Sequence, residues 1–132
     1  MKRINWKEKL GWGEEHIEDL RLAGYAYIRQ GKYDIALTFF DALCVLEPES
    51  AYDTQTLGAL YVQLGRPKEA LAYLDRALKM DADHAPTLIN LSKALIMLGK
   101  KQEGLKLARI LSKEKDPSVS NIARALILAY EE

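Results

Sequence analysis

Two histidines, one cysteine, a run of carboxylates and a Gly-Trp-Gly stretch are the groups in this 132-residue chain whose types could carry chemistry. His16 and His84 would ligate a metal only beside a second His or Cys at helical spacing, and neither has one, so no metal and no cofactor is expected. Gly11-Trp12-Gly13 is not a phosphate loop, because no GxxxxGK[ST] pattern follows and no strand precedes it. Glu14, Glu15, Glu18 and Asp19 crowd the start of a helical stretch, where the helix dipole favours negative charge without any catalytic purpose. Cys44 lies within an apolar helical run and has no His near it in sequence, which reads as a structural thiol rather than a nucleophile. An enzyme is not expected.

Composition narrows the partners. With 48% hydrophobic and 29% charged residues the chain has the make-up of one ordinary domain with a real core. Nineteen basic and nineteen acidic side chains cancel, so the positive surface that nucleic acid or an anionic membrane demands is not expected. The longest nearly uncharged stretch, Ala51 to Gly65, is too short and polar to span a membrane. The start MKRINWKEK has no apolar segment behind it. A cytoplasmic location is the expectation, and a lone cysteine suits it.

The elements that would position these groups are set by an internal repeat. Gly31, Gly65 and Gly99 are 34 residues apart, and the same period relates Gly24, Gly58 and Ser92; Tyr27, Tyr61 and Leu95; Ala36, Ala70 and Gly104; and Leu37, Leu71 and Leu105. This series resembles the tetratricopeptide repeat. The resemblance implies an all-α fold, a right-handed solenoid of three helical hairpins at 17–50, 51–84 and 85–118. An N-terminal arm would occupy 1–16 and a C-terminal capping helix 119–132.

Local physics agrees with this register. A glycine at each hairpin turn supplies the positive φ that ends a helix, and the small residues at Gly24, Gly58 and Ser92 facing Ala36, Ala70 and Gly104 let paired helices approach closely. Tyr27, Tyr61, Phe40 and Leu74 would fill the volume beside them. The stretch from Gly31 to Ser50 carries more apolar residues than one face needs, and its surplus, Ile35 and Val45 included, is expected to face neighbouring repeats. Pro48 closes that helix, and Pro86 and Pro117 stand shortly after the corresponding places in the later copies. Asp116 and Pro117 also read as the cap and first residue of a final helix to Tyr130, with Ile122, Ala123, Leu126, Ile127 and Tyr130 on one face. The first sixteen residues, with Ile4, Trp6, Leu10 and Trp12, are expected to fold over the first hairpin as a short shielding arm, with a docking arm for another chain as the alternative.

The resemblance further implies a binding groove lined by the first helix of each hairpin. In this register the candidate contacts are Arg21, Tyr25 and Ile28 from the first copy, Ala59 and Val62 from the second, and Ile89, Lys93 and Ile96 from the third. Ile28, Val62 and Ile96 share one phase, each one residue past the packing position, and so point about 100° away from it. Such an apolar row suits a ligand helix or an extended apolar peptide, with Arg21 and Lys93 as rim charges; packing between the repeats is the alternative for the same three residues. The paired Lys and Asn clamp of chaperone-tail receptors is not found; Lys93 stands alone.

Gly31, Tyr33, Ala36, Phe40, Leu43, Cys44 and Leu46 match a GxYxxAxxxFxxLCxL pattern and resemble the tetratricopeptide chaperones of bacterial type III secretion. That family holds an export substrate in the groove. The short lead before Ile17 and the terminal LSKEKDPSVSNIARALI resemble its needle-subunit co-chaperone of the chlamydial type. The partner this implies is a needle subunit kept from premature polymerisation, together with a second small helical co-chaperone. The translocator chaperones of the same system, toward which the FDALC match points, and a generic tetratricopeptide scaffold stand as alternatives.

Overall fold

The computed structural model describes residues 3–131; residues 1 and 2 of the expected arm and residue 132 of the expected cap lie outside them. Among the described residues the chain is helical, without strands: α1 (Trp6–Leu10), α2 (Glu14–Arg29), α3 (Tyr33–Leu46), α4 (Ala51–Gln63), α5 (Pro67–Met80), α6 (Ala85–Met97), α7 (Lys101–Leu111) and α8 (Pro117–Tyr130). Helix α2 starts three residues before Ile17, within the stretch expected as an arm.

Three of the turns are copies of one another. Gly31, Gly65 and Gly99 have φ of 73°, 74° and 83°. Behind each, two backbone bonds close the helix: Gly31 N–H donates to Ile28 O at 2.9 Å and Lys32 N–H to Tyr27 O at 2.9 Å, and the pairs Gly65 with Val62 and Arg66 with Tyr61 repeat this at 3.1 and 2.8 Å. Gly99 with Ile96 and Lys100 with Leu95 do so at 3.1 and 2.9 Å. This is the Schellman arrangement, which needs a left-handed residue after the helix. Its consequence is that Ile28, Val62 and Ile96 hold the same position relative to three identical turns.

Each turn folds one helix onto the next, so that α2 packs on α3, α4 on α5 and α6 on α7. The small residues lie at these contacts. A Cβ on Gly24 would come within 2.7 Å of Phe40, and one on Gly58 within 2.8 Å of Leu74. In the third pair the roles exchange: the glycine is Gly104 on α7, where a Cβ would meet Ile96 at 2.7 Å and the Ser92 carbonyl oxygen at 2.9 Å. The Ser92 hydroxyl donates to the Gly104 carbonyl at 2.7 Å, tying the two helices together.

Helix α4 is enclosed nearly all round, from Asp53 through Leu57 and Gly58 to Val62. The surplus apolar residues of α3 do not share that fate. Ala36, Phe40, Leu43 and Leu46 are buried, but Ile35 and Val45 are 42% and 55% exposed, contrary to the expectation that they face neighbours. The reason is that α3 packs between α2 and α4, while its remaining side meets only the short α1, near Val45, and is otherwise open to solvent. Pro86 sits in the first turn of α6, where a missing N–H is tolerated, and Pro117 is the first residue of α8, the place expected for it. Asp116 caps α8 by accepting from Ser118 N–H at 3.0 Å.

Helix α8 packs on both α6 and α7, burying Val119 and Ala123 with Ile89, Ala108 and Leu111. Of its expected apolar face, Ala123 is buried and Leu126 and Ile127 are half-buried. Ile122 and Tyr130 remain exposed. At the other end α1 leans on α3, with Lys7 Nζ 3.0 Å from Glu47, while Trp12 packs against the main core.

Candidate functional site

The groups read as potentially chemical have structural employment. The His16 Nδ1 accepts from Gly13 N–H at 3.0 Å at the start of α2, and its ring stacks on Trp12. His84 is the residue before α6, its Nδ1 2.7 Å from the Thr87 hydroxyl. Burial pushes the Cys44 thiol up to about 11, and its Sγ lies 3.9 Å from Thr54 Oγ1. Among the described residues there is no group of His, Cys, Asp or Glu able to hold a metal, and no helix is long and apolar enough to cross a membrane.

The candidate groove lies along α2, α4, α6 and α8, and its first feature is a gap. The backbones of α2 and α4 stay more than 8 Å apart, although α4 and α6 approach more closely, as do α6 and α8. Side chains bridge the gap. Arg21 on α2 donates from Nε to Asp53 Oδ1 at 2.9 Å and from Nη2 to Asp53 Oδ2 at 2.8 Å, while Nη1 reaches Glu18 at 2.7 Å. Asp53 is fully buried, and its hydrogen bonds hold the Arg21 guanidinium above its ordinary value. Arg21 is thus committed to this pair instead of standing as a free rim charge.

Tyr25 lies one turn along α2, its ring edge-on to Phe40 and tilted toward Tyr52 of α4. Among the described residues its hydroxyl is enclosed without a hydrogen-bond partner, and burial raises the phenol above its usual range. Further along, Ile28 and Ala59 come together in a cavity of about 200 Å³ between α2 and α4, with Tyr33, Thr56 and Gln63.

Val62 and Ile96 meet in a second cavity of about 180 Å³, which Lys93 and Met97 share with Leu126 and Tyr130 of α8. A third, of about 310 Å³, lies between Ile89 and Lys93 on α6 and Val119 and Ile122 on α8. The row of three apolar residues is therefore divided: Ile28 faces one hollow, Val62 and Ile96 another. Ile89 is only 4% exposed and forms a floor more than a surface. Sequence reasoning missed two features. Asp53 drew no notice because nothing local distinguishes it from any first-turn acid, and α8 read as a cap although its Ile122, Leu126 and Tyr130, spaced by four, wall the last third of the groove.

Comparison with known proteins fits this geometry. A family model described as tetratricopeptide repeat matches residues 17–98. No curated protein matches the chain. Among solved structures, the chain is similar to PcrH in complex with the chaperone binding region of PopD, at 27% identity and a TM-score of 0.76 over 92% of each chain. PcrH, known also in a structure from Pseudomonas aeruginosa, matches again in its complex with the chaperone binding region of PopB, at 27% identity and TM-score 0.73 over 88% of this chain and 95% of that one. SycD, the Yersinia enterocolitica type III secretion chaperone, with a peptide of the translocator YopD, matches at 25% identity and TM-score 0.69 over 90% of this chain and 98% of that one. These similarities favour the translocator branch and lend no support to the needle-subunit reading.

Proposed function

The chain belongs to the tetratricopeptide repeat family, and from that premise we propose that it is a type III secretion chaperone of the translocator kind. It holds an apolar segment of an export substrate against α2, α4, α6 and α8, which we take as the concave side of a right-handed solenoid. Three hairpins, 17–50, 51–84 and 85–118, build that side, and the C-terminal helix completes it.

The observation that carries the reading is the similarity, over 92% of each chain, to a chaperone bound to the chaperone binding region of a secreted protein. Apolar hollows at Ile28 and Ala59, and at Val62 and Ile96, support it. The mechanism is binding alone. A translocator carries apolar segments that would aggregate or insert prematurely, and burying one of them in a preformed groove keeps the substrate soluble until export. Tyr25, Ile28, Ala59, Val62, Lys93 and Ile96 are the contacts of this proposal; Ile89 supports them from beneath, and Arg21 sets the groove's width.

The test is affinity purification of the tagged protein from its native cell, with mass spectrometry of stoichiometric partners. Recovery of a large secreted protein with transmembrane segments is expected. A small needle-like subunit with a second helical chaperone would return the protein to the needle branch, and unrelated partners would leave a general tetratricopeptide scaffold.

A further inference from the structure

Lys93 lines both cavities between α6 and α8, and it is the only Lys, Arg, Asp or Glu in either lining. It has no ion pair or hydrogen bond among the described residues, whereas Arg21, the other candidate rim charge, is neutralised by Asp53 and Glu18. The two cavities are otherwise largely apolar. One is floored by Ile89 and sided by Val119 and Ile122; the other is made by Val62, Ile96 and Met97 with Leu126 and Tyr130. Lys93 is a half-buried residue between two apolar hollows with no ion-pair partner among the described residues, and a carboxylate brought there gains a partner at a smaller desolvation cost than a fully buried pair would carry.

Spacing adds a second constraint. Ile89 and Ile96, which mark the two hollows, are seven residues apart on α6. That is about 10 Å along the helix axis. An extended chain covers about 10 Å in three residues. Lys93 lies between the two marks.

We propose that this end of the groove reads an acidic side chain flanked by two apolar ones about three residues apart, in an extended segment of the partner protein, with Lys93 as the residue that selects the acid. The proposal rests on the groove reading above and adds the chemistry that the groove selects. It differs from capture of a chain-terminal carboxylate, because the cation stands between the apolar hollows and not beyond them.

A charge-swap selection tests this on the full chain. A phage-displayed library of random linear dodecapeptides is panned against wild type, Lys93→Glu, and the groove variants Met97→Glu and Ile122→Glu. Both groove positions are exposed, so these substitutions spare the core. Circular dichroism confirms that each variant is folded. Wild type is expected to enrich Asp or Glu between apolar residues, and Lys93→Glu to enrich Lys or Arg there with the same apolar flanks. For a synthesised wild-type-selected peptide, reversing its acid to Lys is expected to weaken wild-type binding about tenfold and to be rescued by Lys93→Glu. Apolar peptides with no acidic preference, unchanged by Lys93→Glu, would overturn the role of Lys93 and leave the groove reading intact. If enrichment were absent, or indifferent to Met97→Glu and Ile122→Glu, the groove reading itself would fall and this inference with it.

Discussion

Arg21 on α2 grips both carboxylate oxygens of the fully buried Asp53 on α4, across a gap where the two backbones never come within 8 Å. Because no backbone packing sets the separation of these helices directly, the length of the Arg21 side chain helps to set the width of the gap between them. Replacing Arg21 with Met leaves Asp53 buried without a counter-charge, at a cost of about 3–5 kcal/mol. Arg21→Lys keeps the charge but loses the two-pronged grip. Urea denaturation should therefore place Lys between wild type and Met, and equal midpoints for all three would show the pair to be unimportant.

The row at the turns separates stability from binding. Ile28 and Ile96 are only partly buried, so Glu at either position is expected to keep the helical circular dichroism signal and weaken binding of the co-purified substrate at least tenfold. Val62, 9% exposed, is closer to the core, and Val62→Glu is expected to lower the melting temperature as well. Full binding by both Ile28→Glu and Ile96→Glu would remove these hollows from the site.

Gly104 allows a close helix contact that any Cβ would crowd. Alanine there would press on the Ser92 carbonyl at 2.9 Å, a backbone atom that cannot rotate away, and disturb the Ser92 to Gly104 hydrogen bond. A net loss of about 1–3 kcal/mol is expected despite the better helix propensity of Ala. At Gly58 the obstruction is the Leu74 side chain, which can shift, so Gly58→Ala should cost less. Thermal melts of the two variants in the reverse order would contradict this packing.

Cys44 provides a pH test. Its thiol is raised from an ordinary 9.0 to about 11 because burial disfavours the thiolate. The folded state thus holds the proton longer than the unfolded state, so the contribution is fully present below about pH 9, declines through the interval up to about 11, and is lost above it. Alkylation by iodoacetamide at pH 8 should be slow in the native protein and speed up in urea. Rapid native labelling would mean the thiol is open to solvent.

Much of the fold was legible because its turns are local events. A glycine after a helix needs only its neighbours to adopt positive φ, and the three glycines 34 residues apart carry the same two capping bonds wherever the chain places them. The small residues at Gly24, Gly58 and Ser92 were legible for a related reason: a repeated small side chain at one helical phase signals a close contact even before its partner is known.

Residue types and their spacing were enough for a repeating set of helices, their turns and the phase of the row Ile28, Val62 and Ile96. The remainder came from how the helices pack. That packing joined Arg21 to an acid 32 residues away, left Ile35 and Val45 in solvent and made α8 a wall beside Lys93. None of these follows from spacing, because a side chain's periodicity gives the face on which it lies, whereas its partner depends on which helix, if any, the rest of the chain packs against that face.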